Sequence, residues 1–235
     1  MNQDNFTDDQ KEQFTNSTYG ATDPVYPEFE FEHRTYHNVK ESRTDNLYEY
    51  FPQWFEELTD IDGVYLAGGS LRNLLGGDDK IADIDLFFRD QEALDSAIKI
   101  MDMWAGSEDG AWFKAFECPA KELITYKSAI ESLMYGDATQ DEYDNQKKVQ
   151  FITKSFYPDP VSLISTFDFI PTCACLYNNV LYTHRDWVKH VKKRTLGYNF
   201  ISYPVASVFR MMKYKDKGYT VLADTVTAMV VDINS

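Results

Sequence analysis

The chain of 235 residues carries 23 Lys and Arg against 38 Asp and Glu, so its formal net charge at pH 7 is −15. Hydrophobic residues make up 43% of it and aromatic residues 15%, enough apolar surface for a packed core, and a wholly disordered chain is excluded. The acidic balance excludes unselective binding to nucleic acid or anionic lipid, because clustered Lys and Arg drive such binding. The sequence also has neither an apolar run near the roughly 20 residues of a membrane span nor a signal-peptide pattern. We therefore expect a cytoplasmic protein with no membrane partner.

The cysteines and histidines give no sign of a disulfide framework or a zinc site. Cys118, Cys173 and Cys175 form an odd set, which fits a reducing compartment. The four histidines make no recognisable zinc spacing with them, so buried thiols are the expectation.

Residues 1–45 form an acidic segment with few aliphatic side chains, which we expect to be a flexible arm. Tyr26, Phe29 and Phe31 offer apolar contacts by which the arm can bind a protein partner. The alternation over 29–32 also suits a short edge strand.

Residues 46–184 alternate helical and strand patterns and are the expected α+β domain. Helices are predicted at 47–58, 70–75 and 91–104, and strands at 63–67, 82–88, 112–117, 123–126, 149–156, 167–177 and 180–183. A predicted helical portion follows over 185–235, with helices at 187–194, 204–214 and 219–231. We expect a small mixed sheet flanked by helices, then this helical carboxy-terminal portion, with a cleft between the two.

Two glycines separate the strand at 63–67 from the next predicted helix. Gly68 and Gly69 allow the backbone to approach a ligand closely, and Ser70 adds a hydroxyl to the N–H groups that open the helix. The segment therefore predicts a cradle for an anion such as phosphate.

Two aspartates occupy alternate positions of the strand at 82–88. Asp83 and Asp85 are expected on one face, while Ile84 and Leu86 point into the core. Two like charges on a buried strand repel each other and lose hydration, costs that a bound divalent cation offsets. A third carboxylate, Asp168, is embedded in the apolar run 167–177.

These residues resemble a known superfamily. The run Gly-Gly-Ser-Leu-Arg-Asn from Gly68, followed by Asp-Ile-Asp-Leu from Asp83, is similar to the nucleotidyltransferases that include DNA polymerase beta. The likeness is greatest to the head domain of poly(A) polymerases and CCA-adding enzymes, and to small nucleotidyltransferase-like proteins of bacteriophages, which add a later Phe-Asp-Phe. One departure is Asn73, because the head-domain pattern usually has Asp after the Arg.

The resemblance implies a reaction and roles for its residues. A nucleoside monophosphate would pass from a nucleoside triphosphate to a hydroxyl of RNA, protein or a small molecule, with two Mg²⁺ ions or Mn²⁺ as cofactors. Gly68, Gly69 and Ser70 would hold phosphates, and Asp83 and Asp85 would bind metal. Asp168 would be the third metal ligand and the base. If the chain is phage-encoded, the host cytoplasm is its expected location.

Further nucleotide contacts are predicted from basic and aromatic side chains. Arg72 follows the glycines and can contact phosphate or an acidic neighbour. Arg210, Lys213, Tyr214 and Lys217 share one helix face, with Tyr214 available to stack on a base and the cations to meet the triphosphate. An ordinary solvated basic face explains the same spacing.

Two other classes of function fit the same sequence. A fold can persist after its chemistry is lost, so a catalytically inactive structural or regulatory binding module is the main alternative. A sensor that binds nucleotide without transferring it is the other.

Overall fold

The protein is described from a computed structural model, which covers residues 39–43, 55–76, 83–106, 112–118, 122–128, 148–201 and 203–233. Within these residues, eight strands form one sheet in the order β1-β8-β7-β2-β3-β6-β5-β4. The strands are β1 (Val39–Arg43), β2 (Val64–Ala67), β3 (Asp83–Phe88), β4 (Trp112–Cys118), β5 (Leu123–Ser128), β6 (Lys148–Phe156), β7 (Ala174–Tyr177) and β8 (Val180–His184). Strands β3 and β6 pair in parallel and the other described neighbours pair antiparallel, so the sheet is mixed.

Seven α-helices lie in the described part of the chain, three of them after the sheet. They are α1 (Glu56–Thr59), α2 (Gly69–Gly76), α3 (Gln91–Ala105), α4 (Pro160–Ile164), α5 (Trp187–Lys192), α6 (Pro204–Asp216) and α7 (Ala223–Ile233). Two short strands, β9 (Thr195–Leu196) and β10 (Thr220–Val221), pair in parallel beside α6 and α7. The fold is therefore α+β with a helical carboxy-terminal portion, as expected.

Strand β2 is buried on both faces because helices cover both sides of the sheet. Val64 and Leu66 pack in the larger core with α3 and α5, whereas Tyr65 and Ala67 pack in a second cluster with α4. The two clusters follow from the alternation of side chains along a strand. Strand β3 instead buries one face and leaves its other face partly open, which is where the aspartates lie.

Most of the predicted strands and helices are present with ends shifted by a few residues. The prediction of one strand over 167–177 is wrong in its first half, because Asp168 precedes a 3-10 helix, Ile170–Thr172, and β7 begins at Ala174. Pro171 explains the difference, since it has no N–H to donate to a ladder. The expected arm 1–45 includes β1, which pairs with β8 at one edge of the sheet.

Some expectations fall on residues that the structure leaves undescribed. The strand suggested at 29–32 and the first part of the helix at 47–58 lie outside the described ranges. In the parts that are described, none of the helices combines the length and the apolar character that crossing a bilayer requires.

Candidate functional site

The turn between β2 and α2 adopts a backbone conformation that favours glycine. Gly68 has a φ of +86°, and its N–H donates to the carbonyl of Ala174 over 3.0 Å, which fixes the turn to β7. A Cβ added at Gly68 would lie 4.0 Å from an oxygen of Asp85. The glycine turn, Gly68 and Gly69, therefore lies directly against the carboxylate of β3.

Helix α2 begins at the glycine turn and leaves a buried hydroxyl without a partner. Ser70 is buried, and within the described part of the chain its Oγ makes no hydrogen bond. The first N–H groups of a helix also have no partner inside it and attract negative charge. An unpartnered hydroxyl beside these N–H groups fits a phosphate oxygen, as the sequence predicts for Ser70.

Asp83 and Asp85 lie on one face of β3, as predicted. Ile84, Leu86 and Phe88 are buried in the larger core, while both aspartates remain at least partly exposed on the opposite face. We call Asp83 and Asp85 the carboxylate pair. Burial and the neighbouring charge of Asp83 raise the pKa of Asp85 to about 6, although Lys213 acts in the other direction.

A lysine from the parallel neighbour compensates part of this charge. Lys148 stands opposite Asp83 in the β3–β6 register, and its Nζ lies 3.3 Å from Oδ1 of Asp83. Both side chains are well exposed, so the ion pair stabilises the fold only slightly. The raised pKa of Asp85 means that ionising both carboxylates still costs free energy, which a divalent cation would recover.

Asp168 is engaged by α6 and does not join the carboxylate pair. Its Oδ2 accepts hydrogen bonds from Nε of Arg210 at 2.7 Å and from Oγ of Ser207 at 2.5 Å, and Nη2 of Arg210 lies 2.6 Å away. Across the described ranges, no group of three His, Cys, Asp or Glu side chains is placed to hold a metal ion. Asp168 as the third ligand of a metal site therefore stays a prediction, and in this structure its carboxylate is paired with Arg210.

Arg72 and Tyr214 pack against each other instead of lining an open cleft. Arg72 is buried, with its Cζ 5.0 Å from the centroid of the Tyr214 ring and its Nε donating to Asn73. Tyr214 also makes edge contacts with Phe169 and Tyr219. The guanidinium of Arg72 lies over the ring of Tyr214 in this structure, and base stacking on Tyr214 stays a prediction.

The remaining cations predicted on this helix divide between two environments. Lys213 is exposed and lowers the pKa of Asp85 by its charge, so it faces the carboxylate pair from α6. Lys217 caps the end of α6, where its backbone N–H donates to the carbonyl of Lys213. Within the predicted face, the structure therefore pairs Arg210 with Asp168 and places the charge of Lys213 near Asp85.

Sequence reasoning missed Lys148 and Ser207. The ion pair of Lys148 with Asp83 depends on which strands are neighbours, which no local pattern encodes. Ser207 precedes Arg210 by three residues, so helical spacing places both on adjacent parts of one face, and this signal was available.

The buried thiols and the histidine at the end of β8 take no part in the site. Cys173 and Cys175 are buried, as predicted, and burial raises the pKa of both thiols. Nδ1 of His184 accepts the N–H of Asp186, and burial lowers the pKa of His184 to about 4. Neither group has the exposure that proton transfer to a substrate needs.

A protein-family profile matches more than half of the chain. A family profile described as "Gabija anti-defense 2 family protein" matches residues 41–194. A protein of Bacillus phage SPbetaL7 named "Gabija anti-defense 2" is 24% identical over 180 residues, which cover 75% of this chain and 39% of that protein. The chain thus spans well under half the length of this curated relative.

The fold is similar to that of solved CCA-adding enzymes. A CCA-adding enzyme in complex with ATP aligns with a TM-score of 0.53 at 14% identity, covering 82% of this chain and 45% of that one. The apo form of a CCA-adding enzyme aligns with a TM-score of 0.51 at 13% identity, covering 83% and 46%. Likeness at such low identity establishes the nucleotidyltransferase fold, which agrees with the resemblance seen in the sequence.

Proposed function

We propose that this chain, which belongs to the Gabija anti-defense 2 family, acts against the Gabija defence in the host cytoplasm as a nucleotidyltransferase. In the proposed reaction, an acceptor hydroxyl oxygen bonds to the α-phosphorus of a nucleoside triphosphate. The bond from that phosphorus to the α–β bridging oxygen breaks, pyrophosphate leaves with the electron pair, and the hydroxyl proton passes to solvent. RNA, protein and small molecules all offer such a hydroxyl.

The observation that carries this proposal is the carboxylate pair facing the glycine turn. Asp85 approaches Gly68 so closely that a Cβ there would touch it, and its pKa is raised to about 6 by burial and by Asp83. Holding two carboxylates this close together costs free energy in the folded protein. The helix N–H groups and the unpartnered Ser70 hydroxyl lie beside them. This combination is typical of a site that binds a cation and phosphates together.

The residues of the site have separate roles in the proposal. Ser70 and the opening N–H groups of α2 bind the phosphates, and Lys213 attracts the triphosphate from the opposite side. Asp83 and Asp85 would hold Mg²⁺, which needs only one or two carboxylates when substrate phosphates and water complete its ligands. When bound, the ion would neutralise charge on the transferred and departing phosphates. In the proposal, Asp168 holds Arg210 and α6 in place beside this site and does not contact the ion.

The first experiment measures pyrophosphate release from each of the four ribonucleoside triphosphates with Mg²⁺. The protein is compared with its Asp83→Asn and Asp85→Asn variants, which keep side-chain shape and lose the charge. We expect release to fall at least about 100-fold in both variants while thermal unfolding stays cooperative. Release that survives both substitutions would contradict the proposal.

The second experiment connects the chemistry to the anti-defence role that the family's description names. Phage plating is measured on Bacillus cells that carry the Gabija defence and express either the wild-type protein or Asp85→Asn. Wild type should restore plating and Asp85→Asn should not, at equal protein levels. Lys99→Gln, an exposed change on α3 outside the proposed site, is the control and should act like wild type.

A catalytically inactive binding module is the second candidate function. It is favoured by the engagement of Asp168 with Arg210, which leaves the pair without the third carboxylate that the resemblance implies. In that case Asp83→Asn and Asp85→Asn would still restore plating, and calorimetry would detect no nucleotide binding to the folded protein. A nucleotide sensor would bind nucleotide saturably without releasing pyrophosphate.

A further inference from the structure

Helix α6 carries a second apolar surface that is largely exposed in the described part of the molecule. Its inner face consists of Ser207, Met211 and Tyr214, at helical spacing. On the outer side, four apolar residues recur at i, i+3, i+4 and i+7 and are 37% to 73% exposed. We call them the apolar stripe: Val205, Val208, Phe209 and Met212.

The apolar stripe lies next to the candidate site. At 3.6 residues per turn, successive residues are about 100° apart, so Lys213 lies between Phe209 and the inner face. Lys213 acts on Asp85 and Arg210 pairs with Asp168 from this same side of the helix. A ligand bound on the stripe would therefore be separated from the carboxylate pair by no more than the width of α6.

Basic side chains flank the stripe on both sides although the whole chain is strongly acidic. Lys213 borders it toward the site and Lys215 borders it on the other side, and both are exposed. Asp216, the acidic residue of this helix, is exposed at the carboxy-terminal end of the stripe, four residues after Met212, and offsets one of these two charges. The lysines on its two borders make the stripe complementary to an acidic apolar segment.

We propose that the apolar stripe and its flanking lysines dock a protein acceptor, an acidic amphipathic segment that presents its hydroxyl to the carboxylate pair. This inference rests on the proposed function and adds the class of acceptor. Apolar anchors at i, i+3, i+4 and i+7 are the spacing with which one helix receives another apolar segment. The acidic residues of the segment would meet Lys213 and Lys215.

The surface fits a polypeptide better than a single strand of RNA. Binding a single strand relies on aromatic rings with free faces along a basic groove. Three of the four stripe residues are aliphatic or Met, and the exposed ring of Tyr203 beside them already has Nζ of Lys154 3.4 Å above its centroid. The stripe therefore offers apolar contact area with few stacking platforms.

The test follows label from an α-labelled nucleoside triphosphate with Mg²⁺ into three defined acceptors. The first is a random copolymer of Glu, Ala and Tyr, the second a copolymer of Lys, Ala and Tyr, and the third a single-stranded RNA with a free 3′ hydroxyl. Fluorescence anisotropy measures binding of each polymer separately, without catalysis. The full chain is used throughout.

Two triple variants each replace three exposed apolar residues. One changes the stripe: Val205→Ser, Phe209→Ser and Met212→Ser. The other changes valines of α7 that are 44% to 60% exposed: Val226→Ser, Val230→Ser and Val231→Ser. We expect the acidic copolymer to be bound and labelled at least about tenfold more than either of the other acceptors. Its binding and labelling should fall about tenfold in the stripe variant and persist in the α7 variant.

The outcomes separate this inference from the proposed function. If pyrophosphate release continues while RNA is labelled in preference, or while both triple variants behave alike, the protein acceptor is wrong and the transferase proposal stands. If no acceptor supports release and Asp83→Asn changes nothing, both are wrong. If removing residues 1–38 increases binding of the acidic copolymer more than about tenfold, the acidic arm occupies the stripe and the docking assignment is overturned.

Discussion

Asp85 and Asp168 both interact with cations of α6 but have opposite electrostatic surroundings. Asp85 has Asp83 as a neighbour, and its pKa is raised to about 6. Asp168 accepts hydrogen bonds from Arg210 and Ser207 within 2.7 Å. The comparison indicates which carboxylate favours cation binding. A bound cation recovers free energy where the repulsion between carboxylates is uncompensated, and it recovers little where a guanidinium has already neutralised the charge.

Substitution of Asp168 should give the largest change in stability. Asp168→Asn leaves Arg210 without its carboxylate, so the free energy of unfolding should fall by about 2 kcal/mol, less than for a fully buried pair because Arg210 is 46% exposed. Urea denaturation at pH 7.5 measures it. Asp85→Asn should leave stability unchanged or increase it in the same experiment. Equal losses in the two variants would remove the contrast between the aspartates.

The second largest effect should be a pH dependence of stability that is caused by Asp85. The pKa of Asp85 in the folded protein is about 6, above the ordinary value of 3.8 for an aspartate. The folded protein therefore holds a proton that the unfolded chain releases, and stability falls as pH rises between those values. From pH 4.5 to pH 7.5, the wild type should lose about 1 to 2 kcal/mol relative to Asp85→Asn, after allowance for partial exposure. Mg²⁺ with nucleotide should reverse the loss at pH 7.5. A pH-independent difference would contradict the assignment.

Alanine substitutions at two glycines with the same backbone conformation distinguish a cost in stability from a loss of nucleotide binding. Gly68 and Gly218 have φ values of +86° and +82°, and an added Cβ has room at both. Alanine at either should cost about 1 kcal/mol of stability. Only Gly68→Ala should also weaken nucleotide binding, because it places a methyl group against Asp85. Calorimetric titration of both variants decides this, and equal affinities would remove Gly68 from the site.

The smallest expected effect concerns the hydroxyl that supports Asp168. Ser207→Ala removes one hydrogen bond, and Arg210 remains to compensate, so stability should fall by about 0.5 to 1.5 kcal/mol. Thermal unfolding measures it, with Ala206→Ser on the exposed side of α6 as a control for the helix itself. No change in Ser207→Ala would show that Arg210 alone holds Asp168.

The sequence predicts the β2–α2–β3 half of the site well because its signals are local. Alternation along β3 places Asp83 and Asp85 on one face, and two glycines before a helix mark the turn. The same reasoning fails for Asp168. An apolar run suggests a strand at that position, but Pro171 and the contacts of Asp168 with α6 decide the local structure instead.

Contacts between residues that are distant in sequence are the features of the site that local patterns do not predict. Lys148 meets Asp83 through the register of two strands that are distant in sequence, and Arg72 packs against Tyr214 from another helix. Helical spacing correctly groups Arg210 and Lys213 on α6, but it does not say which aspartate each one faces. Those assignments depend on how α6 sits against the sheet.

The most direct test of the central claim is to ask which aspartates hold a divalent cation. Electron paramagnetic resonance measures Mn²⁺ binding in the presence of a nonhydrolysable nucleoside triphosphate analogue for wild type, Asp85→Asn and Asp168→Asn. The account predicts that Asp85→Asn weakens Mn²⁺ binding by at least about tenfold and that Asp168→Asn leaves it within about threefold of wild type. Loss of Mn²⁺ in Asp168→Asn, or its retention in Asp85→Asn, would contradict it.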